Sequence, residues 1–296
     1  MERCDFLPVS AEEMHERGWW WYDALVVGGD AYVDHPSFGT AVISRVLEAE
    51  GLRVAVLAQP DWHDAEAFRA MGRPRLGVFI GAGNLDSMVA HYTAAKRRRS
   101  EDFYSPGKRT GCRPDRAAIV YCNRAREAFG PDMPIILGSL EASLRRFAHY
   151  DYWDDSVRRA ILFDAPADLL VYGMGEAATI EIAHRLKKKQ SVRTMTDIPG
   201  TGYITRDPSV CKFDHITIPS FEDVRDDKRL YAEATRTEYA EHDPIRGRAM
   251  IQPCEGRYLI INPPAMPLDT KELDRVAGLP YTREWHPMYC LLYTSD

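Results

Sequence analysis

Asp23-Ala-Leu-Val-Val-Gly-Gly29, followed at once by Asp30-Ala-Tyr-Val-Asp-His-Pro-Ser-Phe-Gly39, decides how this chain folds. The first string is short, rich in Val and Leu and closed by small residues, which is how a buried parallel strand reads. The second string carries Asp30, Tyr32, Asp34 and His35 and then Pro36, a residue suited to opening a helix. In open α/β sheets, ligands bind outside the carboxyl ends of the strands. A polar loop in that position is therefore a candidate site before any ligand can be named.

The same rhythm repeats outward from this strand. Residues 37–50 form a helix with Ala41, Val42, Val46 and Leu47 on one stripe, and Gly51 stands where a helix end favours positive φ. Strands follow at 53–58 and 76–81, separated by a helix at 64–71. A longer insertion comes next, with a helix at 85–98, a Pro/Gly-rich polar stretch at 105–114 and a helix at 115–129. Strands four and five lie at 134–138 and 168–173, and a helix runs from Glu176 to about residue 188. Five short apolar strands separated by helices predict an α/β fold, a Rossmann-like parallel five-stranded sheet with helices on both faces. The expected strand order is 3-2-1-4-5.

From residue 191 the rhythm breaks. A turn containing Gly200-Thr-Gly202 feeds a strand within 197–205, and 223–242 reads as one charged amphipathic helix. Residues 249–252 and 257–262 suit a hairpin, Asn262-Pro-Pro-Ala-Met-Pro267 is held extended by its prolines, and 270–276 is a short helix. The expected organisation is a Rossmann-like domain at 1–190 and an α+β connector at 191–289, leading to something else.

Composition narrows the classes. The 296 residues are 45% apolar, enough for a substantial core. They carry 38 basic against 44 acidic side chains, a net charge of −6, so a general nucleic-acid binder is not expected. The one basic run, Lys96-Arg97-Arg98-Arg99, reads as a solvated helix end near the negative pole of the helix dipole. No stretch reaches the ~18 apolar residues of a membrane span, and the start lacks a secretory apolar region, so the expected compartment is the cytoplasm. Cys4, Cys112, Cys122, Cys211, Cys254 and Cys290 are scattered without ligand spacing. No local metal or iron–sulfur motif is present, and neither is G-x-G-x-x-G or G-x-x-x-x-G-K-[ST].

A parallel sheet brings its carboxyl-end loops together, and each loop here holds polar or flexible residues. Asp30, Asp34 and His35 follow strand one, Asn84 and Asp86 strand three, Glu141 strand four, and Gly173, Gly175 and Glu176 strand five. These nine are the candidate ligand-binding residues. Glycines let a ligand approach the backbone, and a helix start offers free N–H groups. Glu141 and Arg145 are spaced for an i, i+4 ion pair. The dense segment His149-Tyr-Asp-Tyr-Trp-Asp-Asp155 reads as a structural or docking element, because His149 and Asp151 lack a neighbouring Ser or Cys nucleophile.

Taken in order, several strings resemble the N-terminal half of the YgiQ family of radical SAM proteins. They are Gly29-Asp-Ala-Tyr-Val-Asp-His-Pro-Ser-Phe-Gly39, Ala58-Gln-Pro-Asp-Trp62, Gly83-Asn-Leu-Asp-Ser-Met88, Glu141-Ala-Ser-Leu-Arg-Arg146, His149-Tyr-Asp-Tyr-Trp153 and Ile261-Asn-Pro-Pro-Ala265. The likeness spans nearly all of 6–289, and the first half also resembles the cobalamin-binding type of domain. It implies a parent enzyme in which C-x-x-x-C-x-x-C thiolates hold a [4Fe–4S] cluster that binds S-adenosylmethionine. Two departures limit the transfer. The cobalamin motif D-x-H-x-x-G is absent, since Asp34 and His35 are adjacent, so cobalamin held by a histidine does not carry over. The three-cysteine motif is absent too, and the last family-like residues are His286-Pro-Met-Tyr289.

The ending Cys290-Leu-Leu-Tyr-Thr-Ser-Asp296 resembles the translation of a sequencing-library adapter and is expected to be a non-native tail, with a naturally short paralogue as the other reading. The expected function is thus the N-terminal accessory domain of a radical SAM enzyme of unknown substrate, not catalytic alone. Its partner would be a missing C-terminal radical SAM domain. The alternative is a stand-alone α/β module that binds a small ligand.

Overall fold

The computed structural model describes residues 5–289; the 290–296 stretch lies outside them. After α1 (Ala11–Glu16), strands and helices alternate: β1 (Ala24–Gly28), α2 (Gly39–Ala49), β2 (Val54–Ala58), α3 (Glu66–Ala70), β3 (Gly77–Ile80) and α4 (Ser87–His91). Then come α5 (Ala117–Phe129), β4 (Ile135–Leu137), α6 (Ser139–Leu144), a small hairpin of β5 (His149–Asp151) and β6 (Ser156–Arg158), β7 (Leu169–Val171) and α7 (Glu176–Lys187). The remainder comprises β8 (Thr201–Thr205), β9 (His215–Thr217), α8 (Phe221–Asp226), α9 (Lys228–Ala240), β10 (Ala249–Cys254), β11 (Arg257–Ile261) and α10 (Thr270–Ala277).

The strand order is β2-β1-β3-β4-β7-β8-β11-β10-β9 in one sheet. Its first five members are parallel, with Val26 opposite Val56 on one side and Phe79 on the other. Numbered by themselves they run 2-1-3-4-5, not the expected 3-2-1-4-5. The difference lies in β2, an apolar strand that serves as an edge because the N-terminal segment covers it: Val56 N donates to Pro8 O at 2.9 Å. That leaves β1 second from the edge, and β3 returns to pair on its other side. The chain reverses its direction of winding at β1/β3, the position where such sheets bind ligands.

Alternation along the strands divides the core. Leu25, Val27, Val78, Ile80, Leu137 and Leu170 face α5, packing on Ala118, Tyr121, Cys122 and Phe129. Val26, Val56, Phe79, Ile136 and Val171 face the other way, with Leu47 of α2 and Ile182 and Leu186 of α7. Gly51 ends α2 at φ 75°, as the sequence suggests.

Beyond α7 the sheet continues. β8 pairs antiparallel with β7, Leu170 opposite Gly202, and the β10–β11 hairpin and β9 extend it. The hairpin turns at Glu255 and Gly256, both at positive φ. The expected connector is α+β, and its strands lie in the same sheet as the parallel half.

Three local expectations fail for identifiable reasons. The helix at 85–98 stops at His91. Tyr92 is extended, Thr93 N donates to Arg97 O at 2.8 Å, and Lys96 sits at φ 56°, so the basic run forms a tight hairpin. Its side chains have internal uses: Arg99 Nε donates to Val89 O and Tyr92 O, and Lys96 Nζ donates to Trp153 O. The helix at 223–242 is two helices, because Asp227 is extended and its carboxylate caps Arg229 N at 2.7 Å, starting α9 afresh. Glu141 and Arg145 form no carboxylate pair. Arg145 reaches Asp86, and Glu141 is drawn inward to the amides described below.

Candidate functional site

The loops after β1, β3, β4 and β7 meet at the carboxyl edge. Gly29 permits the closest approach, since a Cβ there would lie 2.0 Å from Ala82 O of the β3 loop. Ser139 is held at φ 74°, with its Oγ accepting from Ala82 N at 3.0 Å, which ties the β4 loop to the β3 loop. A conformation of that kind in a residue other than glycine persists only where surroundings enforce it.

Beside these loops, a cavity of about 330 Å³ opens between the sheet and the starts of α2 and α7. Val26, Phe79, Ile136 and Val171 form its sheet wall and Val42 and Ile43 its α2 wall; Ser37, Thr40, Ser139, Glu176 and Thr179 supply polar groups. Gly173, at φ 70°, and Gly175 shape the turn from β7 into α7. One carboxylate oxygen of Glu176, Oε2, is buried and has no hydrogen-bond partner in the protein.

Of the nine residues chosen from sequence, Gly173, Gly175 and Glu176 line this cavity. The other six tie the surrounding loops together. Asp30 accepts from Arg113 Nη1 at 2.8 Å and from Asn84 N at 2.7 Å. Burial pushes its carboxyl pKa up, and the Arg113 guanidinium opposes that rise. Arg113, 1% exposed, also grips Asp102, so the 99–116 insertion is pinned to the β1 loop. Asp34 is wholly buried; it pairs with Arg45 and accepts from Thr282 N at 2.9 Å. His35 Nδ1 accepts from Ser37 N at 3.1 Å. Asn84 bridges Gly39 N and Ser37 O. Asp86 caps α4 through Met88 N and Val89 N. Glu141 accepts from Ser87 N at 2.8 Å and Ala118 N at 3.0 Å, joining the starts of α4 and α5, and burial raises its pKa.

Sequence reasoning missed Arg45, Asp102 and Arg113. Arg45 carried a signal, a charge in the buried stripe of α2. Arg113 and Asp102 carried none, because their partner Asp30 is distant in sequence.

An iron–sulfur cluster needs three or four clustered thiolates. Among the described residues, no three His, Cys, Asp or Glu side chains are grouped to hold a metal ion. Burial raises the Cys122 thiol and pushes Cys254 up to about 12, which favours inert thiols over thiolates at these positions.

The geometry defines an α/β protein with a doubly wound 2-1-3-4-5 parallel half and a slot at its carboxyl edge. A family model described as Radical SAM N-terminal matches residues 6–293, and the chain belongs to that family. Over 289 residues it is 53% identical to a UPF0313 protein of Clostridium botulinum, covering 98% of this chain and 45% of the relative. For a UPF0313 protein of Clostridium perfringens the identity is 51%, covering 98% and 44%. The chain thus spans less than half the length of these relatives. Among solved structures, the radical S-adenosylmethionine methyltransferase TsrM from Kitasatospora setae, with cobalamin and a [4Fe–4S] cluster bound, matches with a TM-score of 0.37 and 18% identity, covering 61% of this chain and 26% of that one. No helix among the described residues is long and apolar enough to cross a membrane.

Proposed function

We propose that this chain is the N-terminal accessory part of a radical SAM enzyme, serving to present the carboxyl edge of its sheet to a cluster-bearing remainder. The observation that carries this reading is the family match along nearly the whole chain, against relatives about twice as long. In the parent, the remainder would supply the [4Fe–4S] cluster and bind S-adenosylmethionine. This chain's residues would shape and shield the substrate side.

The path of the chain supports the choice of edge. Trp285 pairs with Val33, and Tyr289 Oη accepts from Tyr32 N at 3.0 Å, so the last described residues lie beside the β1 loop. Exposed apolar side chains occupy the same edge: Leu140 and Leu144 on one face of α6, Met174 after β7 and Val89 on α4. The proposed occupant of this face is the remainder of the same polypeptide.

The test uses the full-length protein with Leu140→Glu and Leu144→Glu together. Limited proteolysis should separate the halves faster, and reductive cleavage of S-adenosylmethionine should fall, while the isolated 296-residue chain melts as before. Unchanged proteolysis and turnover would refute this docking edge. A second reading, a stand-alone small-ligand module, draws on the cavity alone.

A further inference from the structure

We infer that the slot between the sheet and helices α2 and α7 binds a flat, uncharged nitrogen heterocycle of about nucleoside size, with an N–H or amino donor directed to Glu176. The inference concerns ligand binding by this chain itself, so it stands or falls separately from the docking of any further domain.

The shape of the slot follows from how the two helices meet. Their far ends are joined: His184 Nε2 of α7 lies 2.8 Å from Glu50 Oε2 at the end of α2, and Lys187 Nζ donates to Glu50 O at 3.1 Å. Between them, Leu47, Ile182 and Leu186 fill the layer. At the opposite ends Asn84 Oδ1 accepts from Gly39 N at the start of α2, α7 starts without a side-chain cap, and small residues (Gly39, Gly138, Gly173 and Gly175) rim the opening. The result is a wedge closed at one end and open at the carboxyl edge.

Chemistry then selects the occupant. A volume of about 330 Å³ would hold roughly eleven waters at liquid density, but the sheet and α2 walls are aliphatic and aromatic and give water few partners. A planar apolar body would gain by displacing them. Glu176 is the one charged residue in the lining, with no Lys, Arg or His, so an anion would meet a carboxylate and no cation. A cation would be paired at Glu176 but stripped of water elsewhere by apolar walls. A neutral ring donor avoids both penalties and satisfies the buried, unpartnered Oε2 of Glu176. Thr179 and Ser139, also in the lining, can hydrogen-bond further ring nitrogens or a sugar hydroxyl.

The uncapped start of α7 suggests phosphate as the rival ligand. Glu176, the first residue of α7, already complements that helix end with negative charge.

The same ring chemistry could arrive as a free nucleoside or as the base-bearing tail of a larger cofactor, and the experiment separates the two. The 296-residue chain would be titrated calorimetrically with adenosine, benzimidazole, coenzyme A and inorganic phosphate. Two variants accompany it: Glu176→Ala, which removes the acceptor, and Ile43→Trp, which fills the slot from α2. Melting without ligand establishes that each variant is folded. The expected result is 1:1 binding of at least one heterocyclic probe, weakened at least tenfold by Glu176→Ala and abolished by Ile43→Trp. Adenosine binding would assign a free nucleoside, and binding of coenzyme A without adenosine would assign the adenine tail of a larger cofactor. Three results would overturn the inference: no binding by any heterocyclic probe, heterocycle affinity unchanged in Glu176→Ala, or saturable binding of phosphate in preference to the heterocycles.

Discussion

Replacing Arg113 with Met should destabilise the fold more than most single changes, by an amount that depends on pH. Arg113 holds Asp30 at 2.8 Å and Asp102 at 3.0 Å, and all three side chains are almost fully buried. Methionine keeps most of the apolar stem but leaves two buried carboxylates without their cation. Removing one partner of a buried ion pair costs about 3–5 kcal/mol. For a chain of this size that corresponds to a fall in Tm of about 5–8 °C. The sign of the pH effect follows from Asp30, whose pKa is already raised by burial and loses the guanidinium that opposes the rise. Between the ordinary carboxyl value and the raised one, the folded state binds a proton that the unfolded chain does not. Stability therefore falls as pH rises through the folded value and is recovered below it. The assay is urea unfolding of wild type and Arg113→Met from pH 8 down to pH 5, with Asp30→Asn in the Arg113→Met background as a second probe. The deficit should be largest at pH 8, shrink toward pH 5 and be partly relieved by the added Asp30→Asn change. A deficit under about 1 kcal/mol at pH 8, or one that grows on acidification, would refute the reasoning.

Other substitutions test the loop ties and thiols one at a time. Glu141→Ala leaves the amides of Ser87 and Ala118 unpartnered and should cost roughly 2–6 kcal/mol in urea unfolding, with Glu141→Gln costing less because one acceptor remains. Asp34→Ala removes the acceptor for Thr282 N and the partner of Arg45, so hydrogen exchange across 281–289 should quicken at least about tenfold, equivalent to about 1.4 kcal/mol. In native protein at pH 8, peptide mapping after thiol alkylation should find Cys112 modified well before Cys122 and Cys254, which are buried with raised pKa values.

The parallel half was legible because its strands are short Val- and Ile-rich runs, and the helices between them carry periodic stripes. Strand order was not, since it turned on Pro8 covering the edge of β2, a contact between segments that neither sequence marks. Helix ends failed where distant side chains intervene, as when Arg99 returns to the carbonyls that end α4. At the site, sequence named the right loops but could not divide their residues. Asp30, Asp34 and Glu141 looked like Glu176, and only their partners Arg113, Arg45 and the two helix-start amides distinguish them. Glu176 stands apart because one of its oxygens is left without a partner.

The relation of this chain to a radical SAM enzyme is tested most directly by anaerobic reconstitution with iron and sulfide, comparing the 296-residue chain with a full-length UPF0313 relative under identical conditions. The expected result is a stoichiometric [4Fe–4S] spectrum and reductive cleavage of S-adenosylmethionine by the full-length protein, and neither by this chain alone. A stable cluster on the 296-residue chain that cleaves S-adenosylmethionine would contradict its reading as the accessory part.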